Sequence, residues 1–359
     1  MTERLIEMLR PEVARLQGYQ LPSLSEGALE RLIRLDSNEN PFGPVPAVRE
    51  ALAAADVWHR YPDPTYAEAR RALARYSGAP PDRIVLGNGS DELIDLLVRL
   101  FVSPGDRVVI FPPTFDMYEV YTEIAGGQVE RVARGQGFAV DLEAAKRAID
   151  RHTKLVFLAS PNSPTGNVAS ANEIETLAAV APVLVLDEAY AEFAGQNSVP
   201  LALERDNVIV LRSLSKWAGL AGLRVGYGVF PAALVPYLNS VRSPYNVNQA
   251  AQVAVCATIA EVDLALARVQ LIVAERERLA EALPRFSCLR PCPSATNFIF
   301  TEVLGVDARE LRQELARRGI VVRCYSQPAL RDYLRIGVGT PEENDALLAA
   351  LEEAIAALT

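Results

Sequence analysis

Val183-Leu184-Val185-Leu186-Asp187-Glu188-Ala189-Tyr190 and, a little further on, Val208-Ile209-Val210-Leu211-Arg212-Ser213-Leu214-Ser215-Lys216 decide how this chain folds. Each opens with four consecutive apolar residues and breaks off into a polar cluster. Runs this short and this uniformly apolar read as strands buried on both faces, with working loops at their ends. The same punctuation recurs on either side. Arg83–Leu86 precedes Gly87-Asn88-Gly89-Ser90-Asp91-Glu92, and further runs lie at Arg107–Phe111, Leu155–Ala159 and Arg224–Phe230. Helical segments such as Leu142–Arg151 and Asn172–Val180 separate several of them. Short apolar strands alternating with helices predict an α/β fold with a mostly parallel central sheet covered by helices on both faces.

Beyond residue 246 the texture changes. A long helical stretch from Asn248 to Leu283 leads to short strands near Asn297–Thr301 and Leu334–Gly337. The chain closes on an Ala/Leu-rich helix whose start carries Thr340 as N-cap, Pro341 in the first helical position and Glu343 to complete a capping box. Residues 1–45 hold Pro11, Pro22, Pro41 and Pro44 among short helical pieces. The expected organisation is therefore an N-terminal arm (1–45) packing with a smaller C-terminal α/β domain (246–359), and a large domain (46–245) between them.

Composition removes several classes of function. A net charge of −9 leaves no basic surface for nucleic acid. No apolar run is long enough to span a bilayer, and the first residues lack the apolar centre of a secretion signal, so a cytoplasmic location is expected. Cys256, Cys288, Cys292 and Cys324 read as free thiols, and no metal site is expected. With only His59 and His152, neither in a recognisable motif, a zinc hydrolase or a serine–histidine triad has little to work with.

The polar clusters at the strand ends carry the chemistry. The glycines of Gly87–Glu92 allow close backbone approach, and free N–H groups at a helix start favour an anion such as phosphate; a plain tight turn fits that stretch equally well. Ser160-Pro161-Asn162-Ser163-Pro164-Thr165-Gly166 is a rigid loop presenting Asn162 and Ser163. Asp187, directly after a buried run, asks for a positive partner; a protonated pyridine nitrogen, a magnesium ion or a helix N-cap would each answer. Lys216, flanked by Ser213 and Ser215 and followed by Arg224, suits an amine that forms an imine beside a bound phosphate, although any lone lysine is usually a surface residue.

Taken together and in this order, the clusters resemble the fold-type I pyridoxal-phosphate aminotransferases over nearly the whole chain. They are similar in particular to the histidinol-phosphate aminotransferase family. The stretches that carry this likeness are Asp36–Pro44, Arg60–Pro64, Ser213–Lys216 with Arg224, Ser294–Phe300 and Leu334–Thr340. The resemblance implies pyridoxal 5′-phosphate as cofactor, joined to Lys216, which then moves the substrate proton. Asp187 would keep the pyridine nitrogen protonated, Tyr190 would bond the phenolic oxygen, and Phe115 would stack on the ring. Ser90, Asp91, Ser213, Ser215 and Arg224 would surround the phosphate. Tyr61 would reach the phosphate of a neighbouring subunit, implying a homodimer with shared sites.

For the substrate, Arg335 would clamp a carboxylate, Tyr19 and Arg323 would read a substrate phosphate, and Asn40 would lie near the mouth of the site. The implied reaction converts histidinol phosphate and 2-oxoglutarate to imidazole-acetol phosphate and glutamate, in histidine biosynthesis. Aromatic aminotransferases and phospho-amino-acid decarboxylases share the cofactor residues, and a catalytically silent binding module shares the fold. Tyr19 and Arg323 are what the phosphorylated substrate needs and an aromatic one does not. One departure stands out: the family usually has asparagine where this chain has Ser163. Either Ser163 or Asn162 is then expected at the phenolic oxygen, with a modestly raised pKa of the lysine–cofactor linkage.

Overall fold

The computed structural model describes residues 5–16 and 32–359. Two sheets organise them. The larger has seven strands, β2 (Ile84–Gly87), β3 (Arg107–Ile110), β4 (Gln128–Arg131), β5 (Thr153–Ala159), β6 (Leu184–Asp187), β7 (Val208–Ser213) and β8 (Gly226–Val229). Their spatial order is β2-β8-β7-β6-β5-β3-β4. Strands β7, β6, β5, β3 and β4 run parallel to one another, while β8 runs antiparallel to both β7 and β2. Side chains alternate between two cores, as a strand's period of two requires. Leu184, Leu186, Val208 and Val210 face one core, and Val185, Ile209, Leu211 and Phe157 face the other. This two-sided burial is why the strands read as unbroken apolar runs.

The smaller sheet takes β1 (Ile33–Leu35), β9 (Leu289–Pro291), β10 (Phe298–Val303), β11 (Ile320–Cys324) and β12 (Tyr333–Gly337), in the order β1-β11-β12-β10-β9. Strand β1 pairs in parallel with β11, which ties Ile33–Leu35 to the C-terminal part of the chain. The earlier helix Pro11–Ala14 packs instead on helix Met117–Ile124 of the large domain, where Arg10 Nη2 donates to the Ile124 carbonyl at 2.7 Å, so that part of the arm does not join the small domain as expected. At the last helix, Pro341–Leu358, the Thr340 and Glu343 side chains form the reciprocal capping bonds that the sequence predicts.

Two expectations need correcting. The single long helix is two, Gln249–Ala260 and Val262–Ala282, bent by 84° about Glu261. The first packs on helices Pro46–Ala54 and Ala67–Ser77, the second on Ala191–Ala194 and the C-terminal helix, and no glycine or proline announces the break. Arg224 does not begin a strand. Its φ of 51° is left-handed, and it ends a short 3₁₀ turn before β8 starts at Gly226. Among the described residues no single helix is long and apolar enough to cross a membrane.

Candidate active site

The topology lines up the polar clusters along one edge of the large sheet. Asp187 is level with Ala159 on one side and Leu211 on the other, and Gly226 is level with both Ser213 and Gly87. Because β8 is antiparallel, its start lies where the parallel strands end, which carries Arg224 to the same edge as Asp187, Ser213 and Ser90. Ligands of open α/β sheets bind at this carboxyl edge.

At one end of the row, helix Ser90–Phe101 opens after Gly89, whose φ of 78° suits glycine. A Cβ at Gly89 would stand 2.7 Å from Arg224 Nη2, and one at Gly226 would stand 2.6 Å from the Ser90 nitrogen. The two glycines therefore keep open a cradle made of a helix N-terminus, an arginine fork and the buried hydroxyls of Ser213 and Ser215. Arg224 Nη2 donates to Asp91 Oδ2 over 2.6 Å, so the Asp91 carboxylate orients the fork.

In the middle of the row Asp187 is buried, and burial pushes its carboxyl up to about 6 against the two bonds it accepts. Tyr118 Oη donates to its Oδ2 over 2.6 Å and the Ala189 amide to its Oδ1 over 3.1 Å. Tyr118 stacks on Phe157 and meets Phe115 edge-on at 5.6 Å. Lys216 Nζ donates to the Ser37 carbonyl over 3.1 Å. Tyr190 Oη accepts from Asn38 Nδ2 at 2.9 Å. Behind these groups Arg212 binds Glu188 Oε2 at 2.8 Å and Glu192 Oε1 at 3.0 Å, which locks the ends of β6 and β7 to one another.

The smaller sheet supplies the arginines. Arg323 and Arg335 are direct cross-strand partners in the antiparallel β11–β12 pair, so both side chains leave the same face. Arg335 Nη2 donates to the Asp36 carbonyl at 2.6 Å and its Nη1 to Ser163 Oγ at 3.3 Å, with its guanidinium over the Phe298 ring.

The structure gives Asn162 and Ser163 different surroundings. The Asn162 amide joins its own loop to the Pro113–Thr114 turn, accepting from Thr114 Oγ1 and donating to the Pro113 carbonyl and Thr165 Oγ1. Ser163 faces Arg335. Asn40 is likewise engaged, donating to the Trp217 carbonyl at 2.8 Å and accepting from the Phe42 amide. Tyr61 is 81% exposed and stacks on Tyr245. Tyr19 lies outside the described residues.

Tyr118, Asn38 and Asn297, which bonds the Asn38 carbonyl at 2.9 Å, escaped sequence reasoning. Of these Tyr118 had a signal, since it lies one helical turn after Phe115.

The sequence profile of class I and II aminotransferases matches residues 30–351. A histidinol-phosphate aminotransferase of Dehalococcoides mccartyi is 44% identical over 356 residues, covering 98% of this chain and 99% of that protein. One from Roseiflexus castenholzii is 46% identical over 362 residues, covering 96% and 98%. Among solved structures, the histidinol-phosphate aminotransferase of Sinorhizobium meliloti in complex with pyridoxal-5′-phosphate superposes with a TM-score of 0.88. It shares 31% identity and is covered, like this chain, over 98% of its length. This chain belongs to the class I and II aminotransferases, and within them to the histidinol-phosphate aminotransferase family.

Proposed function

We propose that this enzyme transaminates histidinol phosphate with 2-oxoglutarate, using pyridoxal 5′-phosphate held along the carboxyl edge of the large sheet. The observation that carries this reading is the row itself, where an anion cradle, a buried carboxylate and a lysine stand in sequence and two facing arginines close the other side. The fit to the cofactor rests on two features. Gly89 and Gly226 leave room for a phosphate where side chains would collide, and Asp187 is a buried acid with its pKa raised, which a cationic ring nitrogen would hold ionised.

When bound, the cofactor supplies an electron sink for the carbanion formed at the substrate. The rest is done by this chain's own groups. Asp187, oriented by Tyr118 and the Ala189 amide, would pair with the ring nitrogen. Ser90, Ser213, Ser215 and Arg224 would hold the phosphate, with Asp91 setting the arginine's angle. Tyr190 would bond the phenolic oxygen. Lys216 would tether the cofactor and then, as a free amine, carry the proton from the substrate carbon. The two arginines stand side by side, with the Asp116 carboxylate close enough to feel both. Arg323 would take the phosphate of histidinol phosphate, and Arg335 the carboxylate of glutamate or 2-oxoglutarate. An aromatic amino acid has no phosphate to offer Arg323.

The exposed Tyr61–Tyr245 pair and the exposed Leu5, Ile6, Met8 and Leu9 of the arm support a homodimer in which Tyr61 reaches the neighbouring phosphate. Division into an arm, a large domain and a small domain is supported by the two sheets. The substrates are small metabolites, and we place the enzyme in the cytoplasm. The test compares kcat/KM for histidinol phosphate, phenylalanine and tyrosine in wild type and Arg323→Ala. The expected loss is confined to histidinol phosphate, roughly 10- to 100-fold for a charge-assisted hydrogen bond. Equal losses on all three substrates, or equal wild-type rates on them, would overturn the substrate assignment.

A further inference from the structure

The segment Asp36-Ser37-Asn38 crosses the site between β1 and the Asn40 turn, and each residue is pinned. The Asp36 carbonyl accepts from Arg335, the Ser37 carbonyl from Lys216, and the Asn38 carbonyl from Asn297 Nδ2 at 2.9 Å. Asn38 and Asn297 are both buried, and Asn38 holds a left-handed φ of 53°, a conformation that asparagine tolerates better than most residues. That conformation directs its side-chain amide at Tyr190 Oη, 2.9 Å away.

An amide nitrogen can only donate, so the Tyr190 oxygen accepts in this bond. A phenol has one proton, and with the Asn38 side occupied by a donor that proton is free to point elsewhere. The Asn162 amide nitrogen is committed to the Pro113 carbonyl and Thr165 Oγ1, and Ser163, standing where relatives carry asparagine, is turned to Arg335. Tyr190 is then the side chain left to donate to the cofactor's phenolic oxygen.

We propose that Asn38 is a positioning residue for the cofactor: by donating to the Tyr190 hydroxyl, it commits that hydroxyl to donate to the phenolic oxygen. This rests on the cofactor placement argued above. A donor at the phenolic oxygen draws off negative charge that would otherwise hold a proton on the nitrogen joining the cofactor to Lys216. Losing that donor raises the pH at which this nitrogen gives up its proton.

The test uses the dimeric holoenzyme and two variants that suit the backbone. Asn38→Gly removes the donor while fitting the left-handed φ. Asn38→Asp keeps the shape but can accept the Tyr190 proton, reversing the bond. The readouts are the pH midpoint of the bound cofactor's absorption change and the cofactor dissociation constant. Both variants are expected to raise the midpoint, Asn38→Asp by about one pH unit and Asn38→Gly by less, and both to weaken cofactor retention. In a Tyr190→Phe background, Asn38→Gly is expected to add no further shift.

A midpoint unchanged in Asn38→Asp would mean that the amide accepts rather than donates, and would overturn the proposal. So would a Gly shift that simply adds to that of Tyr190→Phe. A wild-type protein showing no cofactor absorption would fail the cofactor placement and this inference together, whereas normal absorption with coincident midpoints fails this inference alone.

Discussion

Replacing Asp187 by asparagine should make the cofactor-free protein more stable while depriving the cofactor of its partner. Burial raises the Asp187 carboxyl from its ordinary 3.8 to about 6. Across that window the folded chain binds more protons than the unfolded chain, so folding stability falls as pH rises and stays lowered above it. A shift of about two units corresponds to about 3 kcal/mol at pH 8, and to roughly half of that at pH 5. Asparagine never ionises. It keeps an acceptor for the Ala189 amide, and the Tyr118 hydroxyl turns to accept from the new NH₂ group.

The assay is urea unfolding of the cofactor-stripped proteins at fixed protomer concentration, followed by tryptophan fluorescence, since Trp217 is buried. Asp187→Asn should exceed wild type by up to about 3 kcal/mol at pH 8, with the gap about halved at pH 5. In the loaded enzyme the ordering should reverse, with cofactor retention and turnover both falling. A gap independent of pH, or a variant less stable than wild type at pH 8, would refute the argument that ionised Asp187 is strained until a cation joins it.

Three further outcomes are expected. Lys216→Ala should still bind the cofactor but lose turnover by roughly 10²–10⁴-fold or more, and borohydride reduction followed by mass spectrometry should find no covalent adduct. Gly89→Ala should weaken cofactor binding, because its Cβ collides with Arg224 and φ is 78°. The backbone strain alone costs about 1–3 kcal/mol, measurable as a drop in unfolding free energy. Ser163→Asn should lower the pH midpoint of the bound cofactor's absorption change by adding a donor at the phenolic oxygen; identical midpoints would show that residue 163 does not reach it.

The large sheet was legible because strands buried on both faces leave uninterrupted apolar runs, and because their polar terminators carry specific chemistry. Strand β4 was not. It is an edge strand whose Gln-Val-Glu-Arg sequence offers no run to notice. The 84° bend at Glu261 was hidden because each helix is apolar for its own neighbours, and only the placement of those neighbours turns the chain. In the site, residues that must be chemically unusual for their surroundings announce themselves: Asp187 after a buried run, Lys216 directly after two closely spaced serines. Tyr118 and Asn38 do not, since a buried tyrosine and a loop asparagine are ordinary until the fold shows what they face. Arg224 was read as the start of a strand, and its left-handed φ became intelligible only beside Gly89 and Asp91.

Arg335 and Lys216 are both met by main-chain oxygens, those of Asp36 and Ser37. Peptide carbonyls survive any change of side chain, so neither contact can be erased by substitution at those two positions. Chain length is another matter. The segment is anchored at one end by the pairing of Leu35 with Val322, and at the other by the bond from Asn38 to Tyr190. Inserting or deleting a single residue between these anchors would present the wrong carbonyl to each cation. Drift in composition should therefore be tolerated at position 37 but not at Asp36, whose buried carboxylate pairs with Arg34, while insertions and deletions at either should be purged.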